Sequence, residues 1–107
     1  MQILLMKVPA YIPIHISEEA LISGIFNNDQ DCFSSIYDMY AARLFGLILK
    51  WVKEKEEAEV LLFQTFIKAW NSRSLFNTKT DHFFHWLCSL ARICYNENLV
   101  EGFYKRN

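Results

Sequence analysis

His82, His85 and Cys88 recur at every third residue, and two imidazoles with a thiol are groups a zinc ion would take. A closed zinc site needs a full tetrahedron of ligands, and no matched pair stands elsewhere in the sequence. The three are therefore read as core or half-buried helix residues, and no metal or other cofactor is expected. Cys32, Cys88 and Cys94 are odd in number and lack C-x-x-C spacing, which points to buried free thiols in a reducing compartment. Glu54, Glu56, Glu57 and Glu59 cluster where a helix would begin, and the positive end of its dipole favours such a solvated acidic turn. No Ser/His/Asp set, glycine-rich phosphate loop or paired-carboxylate pattern is present, and three glycines make a nucleotide cradle hard to build. The expectation is a protein that is not an enzyme.

The elements that must carry these groups are helical. Ser17 is a good N-cap followed by Glu18 and Glu19, so a first helix is expected to run to about Phe26, with Asn27, Asn28 and Asp29 forming a turn. From Asp29 to Val52 the apolar residues Phe33, Ile36, Tyr37, Tyr40, Leu44, Leu47, Ile48 and Trp51 advance by threes and fours, as one face of a long helix does. A third helix is expected from Glu54 to Asn71, burying Ala58, Leu61, Leu62, Phe66, Ala69 and Trp70. At about 100° per residue, Val60, Phe63 and Ile67 fall together on its other side, so this helix is apolar on two faces. A polar loop follows from Asn71 to Lys79. Thr80 or Asp81 can cap a fourth helix running to about Leu99, with Phe83, Phe84, Leu87, Leu90, Ala91 and Cys94 inward. Pro9 and Pro13 confine residues 1–16 to an extended or irregular apolar arm that lies against something, and residues 17–107 form the helical domain. The fold class is all-α, a compact bundle of about four helices.

Composition narrows the function. At 107 residues, 52% hydrophobic and 16% aromatic, the chain fits one domain whose core is aromatic-heavy or whose surface carries apolar groups for a partner. Eleven basic and twelve acidic side chains give a net charge of -1, without the basic excess of a protein that grips duplex DNA by its phosphates. The leading segment lacks a cationic start, Lys7 interrupts it, and no apolar run approaches the roughly 20 residues of a membrane span. A cytoplasmic protein with no membrane partner is expected.

Two stretches carry a family likeness: Ala58 to Trp70, reading AEVLLFQTFIKAW, and Trp86 to Arg92, reading WLCSLAR. With Glu19-Ala20-Leu21-Ile22 and the FSSIYDMY run from Phe33 to Tyr40 upstream, they resemble, in order, the second conserved region of extracytoplasmic-function (ECF) sigma factors. That family has A-E-D-L-x-Q-[ED]-x-F-[LI]-[KR]-x-W and then W-L-x-x-I-A-R-N. Val60 and Phe63 stand where the pattern has Asp and Gln, and Ile93 where it has Asn.

The resemblance implies two surfaces. The outer side of the third helix, with Glu59, Val60, Phe63, Gln64, Ile67 and Lys68, would dock on the coiled coil of the largest subunit of the RNA polymerase core. Losing polar groups from charge-assisted hydrogen bonds costs about 1.5 to 3 kcal/mol each, so Val60 and Phe63 should weaken ordinary docking. Either the apolar arm, a second subunit in a homodimer, or nothing covers them. The loop and the fourth helix would hold unpaired bases of the promoter's non-template strand, with Arg73, Phe76, Lys79, His82, His85, Arg92 and Asn96 as candidates. Single-strand capture needs a positive groove interleaved with aromatic rings. Phe76 could instead anchor the loop to the core, and Arg73 could be a solvated helix-end residue. The expected function is transcription initiation by polymerase binding and opening of the promoter's minus-ten element. The rival is a diverged, non-initiating relative used for dimerisation or for sequestering a regulator, an anti-sigma partner among them.

Overall fold

A computed structural model of the chain describes residues 17–79 and 81–101, and the arm of residues 1–16 lies outside them. Four helices follow one another: α1 (Glu18–Phe26), α2 (Gln30–Ile48), α3 (Lys55–Asn71) and α4 (Phe83–Val100), with a 3-10 turn at Arg73–Leu75. They form the expected all-α bundle.

The first two helices start on side-chain caps. The Ser17 hydroxyl accepts from the Ala20 amide at 3.1 Å, and the Asp29 carboxylate accepts from the amides of Asp31 at 2.9 Å and Cys32 at 3.3 Å. Between α1 and α2 the chain reverses through Asn28, whose φ of 65° lies in the left-handed region that asparagine tolerates. The turn brings the two helices so close at Gly24 that a Cβ there would stand 2.3 Å from the Cys32 sulfur.

Two boundaries differ from expectation. Helix α2 stops at Ile48, short of Val52, and its ladder passes into turns with the Trp51 amide donating to the Ile48 carbonyl at 2.8 Å. Trp51 continues the apolar stripe by spacing alone, but its ring is spent against Tyr95 of α4, 5.4 Å between centroids. At the other junction Asp81 does not cap α4. Its carboxylate accepts from the Asn77 amide at 3.0 Å, which closes the loop, and His82 takes the N-cap position without a side-chain bond. Thr80 lies outside the described residues.

The core is mostly aliphatic, with Tyr40, Phe66, Phe76 and Phe83 its buried rings and further aromatic residues half-buried against it. Ile36, Tyr40, Leu44 and Ile48 of α2 meet Ala58, Leu61, Phe66 and Ala69 of α3 and Phe83, Leu87, Ala91 and Cys94 of α4. Trp70 and Phe84, expected inside, are half-buried, and Thr65 is fully buried, its hydroxyl donating to the Leu61 carbonyl at 2.8 Å. Burial, then a hydrogen bond to Glu18 and that carboxylate's charge, push the Tyr40 phenol up to about 12. The bond ties the start of α1 to the middle of α2. Among the described residues, no helix is long and apolar enough to cross a membrane.

Candidate protein-docking and nucleic-acid interfaces

The six residues named for the partner-facing side of α3 do not share one surface. Val60, Phe63 and Ile67 point outward, 40%, 62% and 46% exposed, and no described residue covers them. Phe63 is a ridge between two hollows that run along the seam of α2 and α3. One, about 540 Å³, is walled by Phe33, Tyr37, Phe66, Ile67 and Trp70, with Gln30 and Asp38 at its edge. The other, about 810 Å³, is walled by Tyr37, Ala41, Phe45, Val60 and Leu62, with Glu56 and Glu59 at its edge. Together they make an apolar groove whose ionisable rim is Asp38, Glu56 and Glu59, all carboxylates.

Gln64 and Lys68 lie about a third of a turn away and face α4 instead. Asn98 donates to the Gln64 carbonyl oxygen at 2.8 Å, and Lys68 pairs with Glu97 at 3.8 Å. Those contacts fix α4 on α3 and remove both residues from the outward face.

On the opposite side, two of the loop's base-contact candidates prove structural. Phe76 is 6% exposed, its ring against Phe83 at 5.4 Å and Trp86 at 5.1 Å, so it anchors the loop to the core. Arg73 is not a solvated helix end. It is half-buried, stacked 4.0 Å over the Trp70 ring, and donates to the Asn28 side chain and the Trp70 carbonyl. Between them they pin the loop to the α1–α2 turn.

Lys79, His82, His85, Arg92 and Asn96 are exposed. The imidazoles of His82 and His85, read as core or half-buried, instead meet edge to face in solvent, 5.4 Å apart. Among the described residues no group of His, Cys, Asp and Glu is placed to hold a metal ion. Arg92 lies over Trp51 at 4.8 Å and Tyr95 at 5.2 Å. Arg43 of α2, which sequence reasoning passed over, lies over Phe84 at 4.0 Å and Tyr40 at 5.7 Å. The Tyr40–Arg43 spacing was a local signal for it, but its nearer ring, Phe84, is on a distant helix. The result is a strip along α2 and α4 in which guanidinium groups alternate with rings. Stacking engages the face of each guanidinium, while its N–H donors lie in the plane, along the edge that phosphates and bases use. Cys88 sits within the strip; burial pushes its thiol up, with Arg43 partly opposing, and Cys32 and Cys94 are likewise held as free thiols by burial first.

At the loop end of this side a hollow of about 620 Å³ has a floor of Phe26, Phe76 and Phe83 and a rim of Glu18, Glu19, Asp81, Lys79 and His82. Its carboxylates disfavour a phosphate. An uncharged ring carrying N–H donors suits it better.

In sequence the chain is similar to ECF RNA polymerase sigma factors named SigK. Those of Mycobacterium tuberculosis and Mycobacterium bovis are each 23% identical over 73 residues, 68% of this chain and 39% of the relative. That of Mycolicibacterium vanbaalenii is 24% identical over 83 residues, 77% of this chain and 42% of the relative. The chain thus spans roughly two fifths of the length of the curated relatives it matches. No family model and no solved structure matches it.

Proposed function

We propose that this chain is a sigma-factor-like domain for transcription initiation, in which the outward face of α3 meets the coiled coil of the polymerase's largest subunit and the α2–α4 strip holds the non-template strand of the minus-ten element. The observation that carries this reading is the strip itself: Arg43 and Arg92 stacked on Phe84, Trp51 and Tyr95, along the helix that the sigma-like motifs assign to unpaired bases. Cations supply attraction to phosphates, and rings contribute about 1 to 3 kcal/mol per stacked base. The carboxylate-rimmed hollow beneath the loop would receive one flipped base rather than backbone. A net charge of -1 fits a domain that binds DNA when held by a larger assembly. Such work belongs to the cytoplasm.

The test is anisotropy with a single-stranded minus-ten oligonucleotide in the presence of core polymerase. Arg43→Ala with Arg92→Ala should weaken capture about tenfold or more, and affinity should fall with salt by a log–log slope near -0.7 per phosphate contacted. Equal affinity for the double variant, or no response to salt, would refute the assignment.

A second reading is favoured by Val60 and Phe63: a non-initiating module that uses the apolar α3 face to bind a protein, a regulator of the anti-sigma kind or a second copy. Binding to the isolated polymerase coiled coil separates the two. Tight binding by the native chain supports initiation; binding only by Val60→Asp with Phe63→Gln supports the module.

A further inference from the structure

The groove between α2 and α3, two hollows of about 540 and 810 Å³, is left unfilled by the contacts among described residues. Phe63 alone is 62% exposed at its centre, and a cover there would remove that apolar surface from water. Its rim has a single sign, since Asp38, Glu56 and Glu59 are the only ionisable groups lining it besides the phenol of Tyr37. That rim argues against a second copy. A two-fold pairing sets the same patch against itself and would bring each carboxylate set towards its duplicate.

We propose that the groove is the docking site of the chain's own residues 1–16, which lie in it as an extended segment over Val60, Phe63 and Ile67. The chemistry of that segment is the complement of the rim. Residues 1–16 include Leu4, Leu5, Val8, Tyr11, Ile12 and Ile14, carry Lys7, and contain no Asp or Glu. Pro9 and Pro13 remove two amide donors that apolar helix walls could not satisfy, and they favour extended backbone. Reach is sufficient. From Gln30 to Phe45 the seam follows α2 for about 22 Å at about 1.5 Å per residue, a length that roughly seven extended residues cover. The segment joins the described chain at Ser17, where the Glu18 side chain holds α1 against Tyr40. Crossing the exposed back of α2, a cylinder about 10 Å wide, takes about four or five more residues. The sum stays below the length of the segment. A polymerase coiled coil on the outward face of α3 would displace the segment, so its docking is a property of the free chain and is tested without polymerase.

The experiment uses the full chain with p-benzoylphenylalanine in place of Phe63, irradiated while monomeric and dilute and mapped by mass spectrometry. An intrachain cross-link from position 63 into residues 1–16 is expected, and none from the same photophore in place of Leu75, which is 75% exposed on the loop. No cross-link into residues 1–16 overturns the proposal. So does one that joins light to heavy chains in an isotopically mixed sample, the signature of a second copy. As an independent arm, Phe63→Asp should make cleavage after Lys7 roughly tenfold faster in limited proteolysis, since a docked segment is cut only from its released state. An unchanged rate would contradict docking.

Discussion

The outward face of α3 and the α2–α4 strip are built on neighbouring helices and hold opposite chemistry. On α3, Val60, Phe63 and Ile67 stand apolar and uncovered among described residues, edged by carboxylates; on the strip, Arg43 and Arg92 lie on aromatic rings. The first is the work of one helix's periodicity. The second is completed only when distant segments meet: Tyr40 and Tyr95 lie three residues from their arginines on the same helix, but Phe84 and Trp51 come from other elements. One molecule thus shows a surface written locally and a surface assembled by folding, and they should respond differently to the same kind of damage.

The largest effect is expected from the inner side of α3. Leu61→Ala, at a fully buried position, should cost about 2 to 5 kcal/mol in chemical denaturation and degrade both surfaces together. Gly24→Ala should come next. Its new methyl would meet the Cys32 sulfur, and overpacking of this kind costs about 1 to 3 kcal/mol; Cys32→Ala should restore much of the loss by freeing the space. Failure of that rescue would mean that the α1–α2 approach is not set by this contact. Arg43→Ala should cost only about 0.5 to 1 kcal/mol in stability, the worth of an exposed cation–ring contact, while its effect on single-strand capture should be the larger of the two. Smallest of all, in a chain lacking residues 1–16, Phe63→Gln should change the stability of the helices by no more than about 0.5 kcal/mol, because the ring contributes more to the surface than to the core. A loss near that of Leu61→Ala would erase the contrast between the two sides of α3. Titration adds a pH test. The Tyr40 phenol is held protonated in the fold, up to about 12 against an ordinary 10, so its contribution is full below pH 10 and is lost as pH rises towards 12. Tyr40→Phe should remove that part of the alkaline sensitivity.

What could be read in advance follows the same division. Apolar spacing located α2, α3 and α4, and the Ser17 cap located α1 because a cap is a local bond, whereas Asp29, read as part of a turn, proves also to cap α2. The outward position of Val60, Phe63 and Ile67 was legible from the same spacing. The end of α2 was not, since Trp51 keeps the period after the helix has ended and spends its ring on α4. Asp81 has the residue type of a cap, yet a nearer amide, that of Asn77, takes its carboxylate. Gln64 and Lys68 sat beside the expected face in sequence and turned towards α4, where Asn98 and Glu97 wait. Arg43 and Arg73 were the hardest to place. Their partners Phe84 and Asn28 lie on distant segments, and only packing brings them together.

The indole of Trp70 is a party wall. It lines the apolar groove beside Ile67 and at the same time supplies the ring on which Arg73 rests, while the Trp70 backbone carbonyl accepts a hydrogen bond from that guanidinium. Two tenants therefore share one partition: whatever leans on the indole from the groove leans also on the buttress that keeps the loop in place.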